Sequence, residues 1–357
     1  MSLAGATVFS ILLLKADSAP TAELNICRTI ISKAREAEAH TYAADYFLLA
    51  TMNYDEALKE WQVQNKEWYV RRDYSRMRDL IRQSTDYARK AETTALQTRG
   101  SLKDKVELDQ REIRSEIVKF ESRYYDLPLS SYLRGYYNKA KLFADEAREA
   151  YKRGDYPSAA TQLTSGLKMI REANKQAGDL MSGYMHNVST WQRWVDETIA
   201  ISKRDRRSVI IVDKMAHLCR VYKNGRIKYE FNIEMGRNWL GDKKQRGDKA
   251  TPEGRYYVTK KKNGSQTKYY KALLINYPNE QDKVDFEEAK RKGIISKNSN
   301  IGNLIEIHGD GGRGINWTDG CVALTNKDMD KLFDIVEVGT PVTIVGSLKN
   351  ISEYNKN

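Results

Sequence analysis

The sequence predicts a multidomain α + β chain: an N-terminal all-α helical hairpin or bundle domain, then a mostly-β domain with short helices. Three observations carry this. No proline occurs between Pro20 and Pro128, in a stretch rich in Ala, Glu, Lys, Arg, Leu and Gln, which lose little side-chain freedom in a helix. Near Arg204 the composition turns to β-branched alternation broken by turn signals. A chain of 357 residues also exceeds what one hydrophobic core ordinarily serves. The expected divisions are a signal or anchor segment (1–20), a helical repeat-like domain (21–203), a second domain (204–347) and a tail (348–357).

The N-terminus holds an apolar run over residues 3–14, followed by small residues around 16–22. No Lys or Arg precedes it, so either the true start lies upstream or the run is not a signal. It is shorter than the roughly 20 residues a membrane span requires. Within the helical region, Val106, Gln110, Ile113, Ile117 and Phe120 recur at steps of four and three, a seam with one polar member. Tyr132, Tyr136, Ala140, Phe143 and Ala147 form a similar stripe after the Asp126-Leu127-Pro128 turn, which predicts a long helical hairpin. The segment Trp68-Tyr69-Val70-Arg71-Arg72-Asp73-Tyr74-Ser75 is echoed 82 positions later by Ala150-Tyr151-Lys152-Arg153-Gly154-Asp155-Tyr156-Pro157. Each copy would end one helix on basic residues and begin the next at Asp-Tyr, as in tetratricopeptide-type devices but with a different period. Such a duplication is either purely structural or a docking domain for an envelope protein partner.

In the second domain, Asn224-Gly225 between two strand-like runs predicts a hairpin, and Asn263-Gly264 repeats the device. Residues 281–292 and 327–336 read as short helices, the latter capped by Thr325 or Asn326, and 341–345 as a closing strand.

The net charge of +12 admits a nucleic-acid binder, a plain basic surface, or affinity for an anionic envelope polymer. No helix-turn-helix, zinc-finger or ribonucleoprotein pattern supports the first, so no nucleic acid is expected. Three cysteines do not make a disulfide framework, and Cys27 and Cys219 sit where packing residues would. Cys321 differs. It follows the tight Thr318-Asp319-Gly320 turn, thirteen positions after His308, which ends the apolar run Leu304-Ile305-Glu306-Ile307. A thiolate is a nucleophile, and a nearby imidazole can take its proton. Gly320 removes bulk beside the thiol, so a substrate carbonyl could approach backbone N–H groups. The glycines at 309, 311 and 314 formally match a dinucleotide fingerprint, but no helix follows, so that reading fails. His308 with Asp310 and Asp319 matches no metal spacing; no metal and no cofactor are expected. The His-then-Cys order also argues against papain-like peptidases.

With these residues the chain resembles the L,D-transpeptidase catalytic domain, the YkuD family. That signature is a His, a loop, then Ser/Thr-His-Gly-Cys and an apolar run; His308, Thr318, Gly320, Cys321 and Val322 fit. Further family-like blocks begin at Ser208, Gly247 and Asn276, so the resemblance spans about 204–346. Two positions depart: Asp319 stands where His is usual, and Ala323 where Arg or Asn is usual. The resemblance implies a mostly-β fold with Cys321 as nucleophile and His308 as base. It also implies acyl transfer on peptidoglycan stem peptides at the cell envelope, in the periplasm or another extracytoplasmic place, with membrane contact only through the N-terminal segment; the alternatives are a hydrolase of the same fold (an L,D-carboxypeptidase or link-removing amidase), or a wall-binding protein whose catalysis the departures at Asp319 and Ala323 have disabled. Thr318 and Gly320 are expected to shape the catalytic turn. Asp319, Trp317, Arg313 and Tyr277 are expected at the substrate. Asp319 would point away, orient His308, bind a substrate ammonium, or serve the turn alone.

Overall fold

The computed structural model describes residues 17–349; the expectations of a signal run over residues 1–16 and of a tail over 350–357 lie outside the described residues. Among the described residues, seven α-helices precede the strands: α1 (Thr21–Glu36), α2 (Ala39–Tyr42), α3 (Ala44–Lys66), α4 (Ser75–Tyr124), α5 (Ser131–Lys152), α6 (Tyr156–Met185) and α7 (Val188–Asp205). By spatial contacts the chain divides into one unit of residues up to 115 with 139–168, and a second of 116–138 with 169 onward.

In the first unit, Leu24, Cys27 and Ile31 form an apolar stripe on α1. It packs with Ala50 and Ala57 of α3 and with Met77, Ile81 and Ala88 of α4. Small alanines let the helices approach closely, and the burial is the main stabilising term. One polar link crosses this core: Ser84 donates to the Ala50 carbonyl at 2.7 Å and accepts from the Cys27 thiol at 3.2 Å. Cys27 is thus a packing residue, as is Cys219, fully buried in its strand.

The expected seam on α4 buries Val106, Ile113 and Phe120. The expected stripe on α5 is displaced. Tyr132 is 62% exposed, and the buried positions are Leu133, Tyr137, Ala140 and Ala147. Tyr132 instead shares a 2.6 Å hydroxyl contact with Tyr136 on the outer face. The reason is that Leu133 and Tyr137 keep step with Ala140 and Ala147 on the helical period, whereas Tyr132 falls outside that row.

The second unit is built on an eight-stranded sheet. Its strands are β1 (Ser208–Asp213), β2 (Leu218–Lys223), β3 (Arg226–Asn232), β4 (Gly254–Asn263), β5 (Lys271–Ile275), β6 (Glu306–His308), β7 (Val322–Ala323) and β8 (Pro341–Val345). Their order is β3-β2-β1-β8-β4-β5-β6-β7. The pairs β1–β8 and β6–β7 are parallel, the others antiparallel. Two short helices, α8 (Glu280–Arg291) and α9 (Asn326–Ile335), fall where the sequence places them, α8 with an Asn279 capping box and α9 capped by Thr325.

Asn224 and Gly225 both take positive φ and close the β2–β3 hairpin, as the sequence predicts. The Asn263-Gly264 expectation is corrected. Asn263 ends β4, but a short 3₁₀ turn at Gly264–Gln266 and a further stretch precede Lys271, so β4 and β5 are joined by a long loop that carries Tyr269. Helix α7 covers one sheet face with Trp191 and Val195 against Ile211 and Val345. The fit is close: a Cβ at Gly346 would sit against the Trp191 and Tyr184 side chains. No helix among the described residues is long and apolar enough to cross a membrane.

Candidate active site

Strand β6 lies between β5 and β7, with His308 opposite Ala272 on one side and Ala323 on the other. Cys321 immediately precedes β7. Its sulfur receives the Glu306 N–H at 3.4 Å, and its S–H points to the Leu304 carbonyl at 3.7 Å. Leu304 holds that carbonyl in place with a left-handed φ of 60°, a conformation that costs a side-chain-bearing residue about 1 kcal/mol. Burial pushes the Cys321 thiol up to about 11, with the Glu306 N–H opposing the rise. At neutral pH this side chain is therefore a neutral thiol.

His308 is fully buried. Its Nδ1 lies 2.6 Å from the Gly309 carbonyl, which can only accept, so Nδ1 carries the proton. That leaves Nε2 with its lone pair, buried and without a hydrogen-bond partner among the described residues. Burial pulls the imidazole below its ordinary value, the Gly309 hydrogen bond opposing. Tyr269, from the β4–β5 loop, stacks on the imidazole at 3.5 Å and 4°, and Trp317 meets it edge-on at 5.8 Å. The site thus holds a protonated thiol and an imidazole whose plane and Nδ1 hydrogen bond are already set.

The turn before the thiol is tied internally. The Thr318 hydroxyl donates to the Cys321 carbonyl at 2.7 Å and accepts from the Gly320 N–H at 3.2 Å. Gly320 has φ 134°, and a Cβ there would lie 2.6 Å from the Ala250 carbonyl. Glycine is required here by the approach of another backbone segment, not by substrate clearance as expected from sequence.

Asp319 stands exposed on the rim of the cleft containing Cys321. It does not orient His308, because the Nδ1 proton already goes to Gly309. Trp317 lines the same cleft. Arg313 lies over the Trp317 ring at 3.5 Å, outside the cleft lining. Tyr277 is buried away from the cleft, its hydroxyl donating to Ile301 at 3.2 Å and its ring beside Tyr256. Its place among the site residues is a packing place.

One residue missed by sequence reasoning stands out. Glu234, just beyond β3, is buried. Its carboxylate accepts from the Gly314 N–H at 2.6 Å and from Trp317 Nε1 at 2.7 Å. Its backbone pairs in both directions with Ala323. One side chain therefore holds the loop between His308 and Cys321 to the strand carrying the thiol. The signal was an acid between Ile233 and Met235, both buried. Tyr269 and Lys268 were missed as well, because their loop was read as a tight hairpin.

The cleft has a volume of about 790 Å³. Arg237, Lys243, Arg246, Lys249, Lys262 and Lys268 line it against two carboxylates, Glu306 and Asp319. Glu306 is taken by Lys262 at 2.6 Å, so the remaining field favours an anionic substrate. A second cavity of about 810 Å³ lies behind the loop, reached by Ala323 and Asn316, with Arg237 on the wall of both. No grouping of three or more His, Cys, Asp or Glu suited to a metal occurs among the described residues.

Comparison with known proteins agrees with this domain. Residues 207–344 match the YkuD family, described as the L,D-transpeptidase catalytic domain. YafK of Escherichia coli K12 is 33% identical over 97 residues, covering 27% of this chain and 32% of YafK. The chain thus spans about a third of the length of the curated relatives it matches. Among solved structures, Bd1075 of Bdellovibrio bacteriovorus is 26% identical, with 42% of this chain and 52% of that one covered at a TM-score of 0.30. L,D-transpeptidase 1 of Mycobacterium tuberculosis is 16% identical, with 39% and 62% covered and a TM-score of 0.26. On the family match, the C-terminal part of the chain, residues 207–344, carries an L,D-transpeptidase catalytic domain of the YkuD type.

Proposed function

We propose that the chain performs cysteine-dependent acyl transfer on peptidoglycan stem peptides, acting at the cell envelope. The observation that carries this reading is the Cys321 thiol on the wall of a cation-lined cleft, with the buried, unpartnered Nε2 of His308 on the strand paired to β7, in a transpeptidase-type domain. The S–H turns from the Leu304 carbonyl to His308 Nε2 as the sulfur attacks a carbonyl carbon of the donor peptide. The proton passes to Nε2, a C–S bond forms, and negative charge gathers on the carbonyl oxygen. The Gly320 N–H already serves Thr318, so the Cys321 N–H is the donor assigned to that oxygen. The C–N bond then breaks, and Nε2–H protonates the leaving amine, expected to be a D-alanine following diaminopimelate. An incoming amine attacks the thioester, gives its proton to Nε2, and the thiol is restored. Asp319 on the rim is assigned to a substrate ammonium, and the basic lining to peptide carboxylates.

The test is incubation of the full chain with purified disaccharide-tetrapeptide muropeptides and mass spectrometry of the products. A cross-linked dimer that has lost one alanine is expected. No product of any kind, acyl-exchanged or hydrolysed, would refute the reading.

A further inference from the structure

We propose that the bend joining α3 to α4 is a docking surface for an anionic lipid bilayer. Trp68 is 78% exposed there and Tyr69 47% exposed, with Val63 of α3 also 54% exposed. Large aromatic side chains are costly to leave in water, and their amphipathic rings suit the headgroup level of a membrane.

The exposure does not come from a frayed loop. The Asp73 N–H donates to Gln64 at 3.0 Å, and the Tyr74 hydroxyl to Asn65 at 2.7 Å. Arg72 donates to the carbonyls of Asn65 and Glu67, each at 3.1 Å. The backbone of the bend is thereby fixed to the last turn of α3, and binding would order little further chain.

The charge is of the right sign. Lys66, Arg71 and Arg76 are exposed around the aromatics, beside the half-buried Arg72, against Glu67 and Asp73. The echoed segment gives an internal control. In its second copy the aromatics are used inside the unit: Tyr151 donates to Glu107, and its ring packs on Tyr156 at 5.5 Å. The first copy instead presents Trp68 and Tyr69 to solvent, while its Tyr74 is buried.

Position supplies the occupant. The described chain begins at Asp17, whose carboxylate accepts from the Tyr74 N–H at 2.8 Å and is gripped by both terminal nitrogens of Arg78 at 2.8 and 2.6 Å. In the sequence, the apolar run at residues 3–14 ends three positions before Asp17. Exposed aromatics and cations beside the point where the described chain begins match a bilayer surface with negative headgroups.

The experiment is sedimentation of the full chain with vesicles of phosphatidylcholine alone or mixed with phosphatidylglycerol. Salt-sensitive binding to the mixed vesicles is expected. Trp68→Ser with Tyr69→Ser, and separately Lys66→Glu with Arg71→Glu, should each weaken partitioning by about tenfold or more, with unchanged melting curves. Brominated lipid should quench tryptophan emission in the parent and much less in Trp68→Phe. Binding unchanged in both double variants would assign it to residues 1–16 alone and overturn the proposal. Failure of the full chain to bind mixed vesicles would overturn it in favour of a protein partner.

Discussion

Replacing Glu234 tests whether the loop between His308 and Cys321 must be held for catalysis. Its carboxylate receives two charge-assisted hydrogen bonds, from the Gly314 N–H at 2.6 Å and Trp317 Nε1 at 2.7 Å. Each such bond contributes about 1.5–3 kcal/mol. In Glu234→Ala both are lost, and the exposed Gly314 end of the loop regains part of that from water. A net loss of about 3 kcal/mol of loop order remains, which corresponds to roughly a hundredfold fewer molecules holding Trp317 against His308. Glu234→Gln keeps the shape but turns an amide NH₂ toward one of the two donors, a loss of about 1–2 kcal/mol and roughly tenfold in rate. The backbone pairing with Ala323 survives both changes, so the sheet should stay folded. The assay is the second-order rate of covalent adduct formation on the thiol with a carbapenem, followed by intact mass, beside a thermal melt. An Ala variant that acylates at the parental rate would refute the clamp. A variant that loses rate only in proportion to a collapsed melt would show a structural role instead.

Four further outcomes follow from the same geometry. Burial holds the Cys321 thiol protonated to about pH 11, so iodoacetamide alkylation should be slow at neutral pH and climb toward that value. If His308 is the base it acts in its neutral form, and burial lowers its value below the ordinary 6.5; the acid limb of peptide turnover should therefore be centred below 6.5, and one centred above 6.5 would contradict the assignment. Gly320→Ala meets the Ala250 carbonyl at 2.6 Å as well as an unfavourable φ, whereas Gly241→Ala meets only the φ; the first should lower the melting temperature clearly more than the second, which carries only a backbone cost of about 1 kcal/mol, and equal melts would remove the close approach from the account. Asp319→Asn should lower muropeptide turnover about ten- to a hundredfold if one charge-assisted contact to substrate is lost, while leaving alkylation of Cys321 alone; unchanged turnover would make it a turn residue only.

The fold was legible where local chemistry is strong. The Asn224-Gly225 hairpin, the Asn279 and Thr325 caps and the proline-free helical stretch each declare themselves within a few residues. Cys321 and His308 could be named as candidates because one motif carries both. What escaped depends on distant segments meeting. Glu234 acts on Gly314 and Trp317 some eighty positions away, and Tyr269 reaches His308 only because Asn263-Gly264 opens a longer loop rather than a two-residue turn. Tyr277, just beyond β5, lies outside the cleft lining because its hydroxyl and ring are engaged by Ile301 and Tyr256, contacts between distant segments that the sequence does not show. The α5 stripe slipped because tyrosines occupy both the buried and the exposed rows, so composition could not choose between Tyr132 and Tyr137.

The central claim is that Cys321 forms a thioester with help from His308, and intact-mass spectrometry after a brief exposure to a tetrapeptide donor or a carbapenem tests it most directly. The parent should gain one acyl group, mapped by peptide digestion to Cys321. Cys321→Ala should gain none, Cys27→Ser and Cys219→Ser should gain it as the parent does, and His308→Gln should gain it far more slowly. An acyl group that persists in Cys321→Ala would contradict the account.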